Sequence, residues 1–271
     1  MIQMSVLNPV PKDKAGARHH VAPFTQVDFQ EFTAGIVIIG NEILSGMIKD
    51  SNSMFMAREL SAHGIKVGSA AIIPDEIDAI RETIRLFSNR FTYVFTSGGI
   101  GPTHDDVTIE AISGAFNVQP VVNQYLKVLL HERFGDHLTT ENLKMAQIPA
   151  GAELIMDHCL KFPLIKFKNV FILPGVPKLL KAKFFVSTKY LGNNTLFVKK
   201  VYVARCESEI ATFLNEVAVF HKTVTIGSYP AGKNGCSSVL ITLEAYQKRQ
   251  VEQALKHLRL GLPDNSIIQI E

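Results

Sequence analysis

The 271-residue sequence has little cysteine, little net charge and no long apolar run. Its three cysteines, Cys159, Cys206 and Cys236, are odd in number, far apart and without a CxxC pair. That spacing argues against a disulfide framework and against a zinc site, and favours a reducing compartment. A formal charge of +3 from 28 basic and 25 acidic residues leaves no broad basic face of the kind that nucleic-acid binding by counterion release requires. A small anionic ligand fits better. The longest aliphatic runs, such as Ile36-Val37-Ile38-Ile39, fall far short of the roughly 20 residues that cross a bilayer, and no signal-peptide core precedes them. The expectation is therefore a cytoplasmic protein with no membrane and no nucleic-acid partner. A mitochondrial location stays open because residues 1–33, with Lys12, Lys14, Arg18, His19 and His20 among Pro and Gly, read as a flexible tail or a poor targeting segment. Low-complexity tracts and internal repeats are also lacking.

What the sequence does have is 46% hydrophobic residues, enough for a full core in one large or two modest domains. β-Branched runs bounded by Gly or Pro alternate with stretches of helical period. This predicts an α/β fold, a mostly parallel sheet with helices on both faces. Strands are expected at 35–40, 65–73 and 91–96, and helices at 52–63 and 75–88. The first helix would turn Met54, Phe55, Ala57 and Leu60 inward, with Asp50 or Ser51 as N-cap and Gly64 as its stop. A hairpin at 164–173 leads through Pro174-Gly175-Val176-Pro177 into another helix. From about Phe197 the order becomes β-α-β-β-α-β, a ferredoxin-like unit. The expected division is a domain over 34–192 and a small α+β domain over 198–271.

The strongest chemical signal is Gly98-Gly99-Ile100-Gly101-Pro102-Thr103-His104-Asp105-Asp106. Three glycines let backbone approach an anion, and the start of the following helix favours phosphate. Two adjacent acids at such a place read either as caps of a helix over 107–116 or as carboxylates holding a divalent cation against phosphate oxygens. The two roles are compatible. A second cluster, Gly40-Asn41-Glu42 to Asp50-Ser51-Asn52, also follows a strand, so Glu42 and Asp50 would face the same crest of the sheet. Asp50 alone reads more readily as a cap, and His104 as a solvated hydrogen-bonding residue.

Gly35 to Asn52, Thr96 to Ala111 and Leu173 to Pro177 resemble the MoaB/Mog molybdopterin-binding family, in the branch shared by the CinA amino-terminal region and the amino-terminal half of eukaryotic FAD synthase. The segments Phe87 to Thr92, Gly98 to Val107 and Ile226 to Pro230 are most similar to the last. The resemblance implies metal-dependent hydrolysis of a dinucleotide pyrophosphate, FAD to FMN and AMP above all, with ADP-ribose or adenylated molybdopterin as other small-molecule nucleotides. It implies catalytic Asp50 and Asp106, metal ligands Asp106, Asp50, Glu42 and Asp105, and nucleotide contacts at Gly98, Gly99, Gly101, Thr103, Pro174 and Gly175. Magnesium or cobalt is the implied ion, potassium a further one, and a homo-oligomer the implied assembly. Asn41 departs from the aspartate common in the family. The synthetase half of FAD synthase lies beyond the matching region, so FAD synthesis by these residues alone is not expected. Two alternatives are a molybdopterin adenylyltransferase and a silent nucleotide-binding module of FAD metabolism. The turn with Tyr229 and Lys233 reads as a solvated hairpin.

Overall fold

The computed structural model describes residues 31–192, 194–231, 238–263 and 265–271. Of the expected tail, residues 1–30 lie outside the described residues, as does Lys233, and Thr33 already belongs to the first strand. In chain order the elements of the first sheet and its helices are β1 (Thr33–Ile39), α1 (Asn41–Leu44), α2 (Asn52–Ala62), β2 (Lys66–Ile73), α3 (Ile77–Arg90), β3 (Tyr93–Ser97) and α4 (Thr108–Ala115). There follow β4 (Pro120–Val122), α5 (Gln124–Phe134), α6 (Thr140–Lys144), β5 (Gln147–Pro149), β6 (Glu153–Ile155), β7 (Leu164–Phe167), β8 (Val170–Leu173) and α7 (Pro177–Ser187).

The sheet runs β2-β1-β3-β8-β7-β6. β1 pairs in parallel with both β2 and β3, and β3 in parallel with β8, while β7 is antiparallel to its two neighbours. A strand in this position is buried on both sides, which is why β1 is an unbroken apolar run. Its side chains alternate between two cores. Val37 and Ile39 join Ile80, Ile84 and Ile112 from α3 and α4, whereas Ile36 and Ile38 join Phe55, Met56, Leu60 and Phe184 from α2 and α7. Helices on both faces are thus required by the sequence period. In the second core Phe95 stacks on Phe171 with ring centroids 5.1 Å apart.

Local signals explain the ends of the elements. Gly64, at φ +68°, stops α2, and a Cβ there would collide with the Asn194 backbone carbonyl. Within α2, Met56 rather than Met54 turns inward; Met54 is 70% exposed, because Asn52, Phe55, Met56 and Leu60 form the i, i+3, i+4, i+8 face. The helix expected from Asp75 begins only at Ile77, leaving Asp75 in the loop after β2. The stretch between α4 and β6 contains the β4–β5 hairpin as well as α5 and α6.

The remaining elements are β9 (Phe197–Val203), α8 (Glu207–Phe220), β10 (Thr225–Pro230), β11 (Val239–Ala245), α9 (Lys248–Gly261) and β12 (Ile267–Ile270). They form a separate antiparallel sheet, β10-β11-β9-β12. This is the split β-α-β arrangement that the element order predicts. One face packs against both helices through Val201, Val203, Ile210, Leu214, Ile241, Leu243, Val251 and Leu258. Residues 31–271 make one compact unit, and Gly192 N–H donates to the Tyr93 hydroxyl at 2.7 Å where the chain leaves the first sheet.

Candidate active site at the crest of the parallel sheet

Loops leaving the carboxyl ends of parallel strands meet along one edge, the usual ligand edge of an open α/β sheet. Here those loops begin at Gly40 after β1, Pro74 after β2, Gly98 after β3 and Pro174 after β8. Gly98 and Gly99 adopt φ +109° and +65°, values that side chains resist. A Cβ at Gly98 would strike the Ile39 carbonyl, and one at Gly99 the Thr108 hydroxyl. Gly98 N–H donates to the Leu173 carbonyl at 3.2 Å, and Thr108 Oγ1–H to the Gly98 carbonyl at 3.0 Å. Gly175 abuts Gly98, with its virtual Cβ 3.4 Å from the Gly98 Cα. The β3 and β8 turns therefore touch through glycines, and Pro174 leads into that contact.

Asp106 does not cap α4, whose N-cap Val107 makes no side-chain bond. Its Oδ2 instead accepts the Thr103 N–H at 2.8 Å and the Thr103 hydroxyl at 2.5 Å. The Gly101 virtual Cβ would lie 2.6 Å from that oxygen, so glycine at 101 makes room for the brace. Lys144 of α6 holds the same loop from outside, donating to the Thr103 carbonyl at 2.8 Å. Asp105 is exposed, and its carboxyl is lowered by the Thr103 hydroxyl and its own backbone amide, with His104 and Lys144 adding to the effect.

A residue overlooked in the sequence joins this group. Asp75 accepts the Asn41 N–H on Oδ2 at 2.8 Å. Partial burial pushes its carboxyl above the usual aspartate value, and Glu42, Asp105 and Asp106 push it further. Four carboxylates from the ends of β1, β2 and β3 thus share one field. Asp50 is engaged at the start of α2. Its Oδ1 accepts the Asn52 and Ser53 N–H groups at 2.9 and 3.1 Å, and its Oδ2 accepts the Ser53 hydroxyl, so it fastens the first turn of α2. That fixes Asn52, which is buried and donates through Nδ2 to Ser97 Oγ at 3.0 Å and to the Gly175 carbonyl at 2.7 Å. Asn52 Oδ1 is buried with no hydrogen-bond partner among the described residues. Such an orphan acceptor at a ligand edge suits a donor group on a ligand.

Among the described residues, no three of Glu42, Asp50, Asp75, Asp105 and Asp106 bring ligand atoms within 4.8 Å of one another. Acids that together raise Asp75 still suit, by their oxygen donors, a hard divalent cation. The oxygen-donor chemistry rather than a closed ligand geometry carries that fit, and Asp50 holds the neighbouring helix.

Comparison with known proteins bears on the fold and family. Residues 35–191 match the family model described as probable molybdopterin binding domain, and residues 195–271 match that of the FAD synthase middle domain. A probable FAD synthase of Caenorhabditis briggsae is 31% identical over 263 residues, covering 86% of this chain and 50% of that protein. The chain thus spans about half the length of such curated relatives. An Archaeoglobus fulgidus protein is 32% identical over 84% of this chain and 97% of its own length. The crystal structure of CinA from Thermoplasma acidophilum, 30% identical, superposes with a TM-score of 0.55 over 59% of this chain and 98% of that one. No helix among the described residues is long and apolar enough to cross a membrane. By its parallel-sheet region and the segment that follows, the chain belongs to the family of probable molybdopterin binding domains, in the form that continues into a FAD synthase middle domain.

Proposed function

We propose that the crest binds a small-molecule nucleotide through its pyrophosphate and hydrolyses it, with FAD to FMN and AMP as the reaction. The observation that carries the reading is Asp75, a carboxyl raised by burial and by Glu42, Asp105 and Asp106, on the same sheet edge as the positive-φ turn at Gly98 and Gly99. Acids gathered next to backbone that can approach phosphate suit a cation-assisted phosphoryl reaction. Glu42, Asp75, Asp105 and Asp106 would hold the ion, magnesium or cobalt; when bound it neutralises phosphate charge and lowers the pKa of a bound water. Gly98, Gly99 and Gly175 keep the ligand edge free of side chains, and the brace from Thr103 to Asp106 sets one carboxylate in place. Asn52 Oδ1 is positioned to accept a hydrogen bond from the nucleotide. In the chemical step water oxygen attacks one phosphorus, the bridging P–O bond breaks, and a carboxylate of the cluster takes the water's proton.

The test is FMN release from FAD by the purified chain, with magnesium or cobalt, and with ADP-ribose and adenylated molybdopterin assayed alongside. Asp106→Asn keeps the Thr103 brace but loses the charge, so turnover should fall at least a hundredfold, about 2.7 kcal/mol of transition-state stabilisation, with little change in Tm. Unchanged turnover in that variant removes the metal-holding role. No turnover in either the parent or Asn41→Asp, together with FAD binding, favours a silent binding module instead.

A further inference from the structure

The loop between β6 and β7 carries chemistry that the crest does not use. Leu160 N–H donates to the Asp157 carbonyl at 2.9 Å, closing a turn that folds three consecutive side chains together. As a result an Asp157 carboxylate oxygen, a His158 ring nitrogen and Cys159 Sγ all lie within 4.8 Å of one another. Donors placed about 2.0–2.3 Å from one ion are separated by at most about 4.6 Å, so this spacing needs only a small closure. Nothing in the cysteine spacing of the sequence announces it, because the ligands come from a single turn rather than a CxxC pair.

We propose that Asp157, His158 and Cys159 form a binding site for a borderline divalent transition-metal ion, of the zinc or cobalt(II) class. The donor set is one oxygen, one nitrogen and one sulfur. Thiolate and imidazole select zinc or cobalt over magnesium, which takes oxygen ligands. The oxygen ligand is preset. Asp157 Oδ1 accepts the Cys159 N–H at 3.0 Å, while Lys189 donates to Oδ2 at 2.5 Å, leaving the Oδ1 side turned toward His158 Nδ1 at 3.4 Å. The other two ligands can swing: His158 is 89% exposed at its side chain, and Cys159 is exposed. Three protein ligands leave the fourth tetrahedral position open.

The site is separate from the carboxylate cluster yet shares its edge. β6 is antiparallel to β7, which is antiparallel to β8, so β6 ends on the same side of the sheet as β8. At about 4.8 Å per strand it lies roughly 10 Å beyond β8, on the opposite flank from Asp75. A metal ion there adds positive charge to the edge that an anionic ligand approaches.

Cobalt(II) separates the two sites, because only coordination by sulfur gives a thiolate-to-cobalt charge-transfer band. Titration of the full reduced chain should give that band, saturating at one equivalent and displaced by zinc but not by magnesium. Cys159→Ser should abolish it, and His158→Ala should weaken cobalt binding at least tenfold, with circular dichroism unchanged in both. Cys206→Ser and Cys236→Ser should retain it. Absence of the band, or its persistence in Cys159→Ser, would overturn the proposal. FMN release in magnesium should be the same in Cys159→Ser and parent, so the two readings can fail independently.

Discussion

Helices cover both faces of the parallel sheet but one face of the antiparallel sheet, and the buried polar groups of the two regions are distributed very differently. Asn52, Thr96, Ser97, Thr108, Ser113, Lys183 and Ser187 are all buried in the parallel-sheet region, and among the described residues of the second region only Ser266 is. Topology accounts for much of this. In parallel strands every outgoing loop reaches the same edge, so polar ends, glycines and carboxylates accumulate there. In β10-β11-β9-β12 every neighbouring pair is antiparallel, so the outgoing loops divide between the two ends and no such accumulation arises. The first region carries the strain and crowded charge of a site, while the core of the second is almost wholly apolar.

The comparison can be broken first at the core. Phe95, fully buried and stacked on Phe171, links β3 to β8 directly beneath the crest. Phe95→Ala should cost about 3–5 kcal/mol, read as a lowered urea midpoint, and should reduce FMN release through unfolding. If the crest alone carries the chemistry, Val201→Ala in the second core should lower the midpoint while leaving turnover per folded molecule unchanged.

A smaller effect is expected at Gly98. Alanine there must accept φ +109° and meet the Ile39 carbonyl, a strain of about 1–3 kcal/mol. The measurable signature is a turnover loss larger than the stability loss, because the shifted turn is the one proposed to face phosphate.

Lys183 sharpens the contrast through pH. It is buried; it donates to the Pro163 carbonyl, and burial pushes its amine down from 10.5 to about 8. Between those values the unfolded chain holds a proton that the folded chain has lost, so this residue makes stability rise as pH rises from about 8 towards 10.5, and its cost is full below 8. Lys183→Met should flatten that rise in Tm. A rise that persists would assign it elsewhere.

The smallest effect concerns the connection. We propose a domain boundary at residues 192–198, where limited proteolysis should cut first and leave two fragments. Cleavage first inside either sheet would argue against that division.

Much of this architecture was legible because period and punctuation coincide. Ile36 to Ile39 signals a strand buried on both faces, Gly64 stops α2, and the alternation from Phe197 onward gives the ferredoxin-like order. The site was less legible. Asp75 hides in the sequence because Asp before Ile77 and Ile80 looks like the first turn of a helix, whereas the helix starts two residues later. Thr103 as the partner of Asp106, and Lys144 as the outer clamp, depend on how a loop folds back, which no periodicity records. The three-residue strands β4 and β5 are too short to show a period of two. The cap-or-ligand ambiguity at Asp50 also needed coordinates, which show its carboxylate fastening α2.

The claim that the crest is a cation-assisted pyrophosphate site is tested most directly at Asp75, which no reading of motifs selects. Asp75→Asn removes a carboxylate that burial and three neighbouring acids already disfavour, so Tm at neutral pH should hold or rise. FMN release from FAD, measured at saturating magnesium or cobalt, should fall at least a hundredfold. A variant that keeps parental turnover, or one that loses turnover only in proportion to a loss of folded protein, would contradict the account.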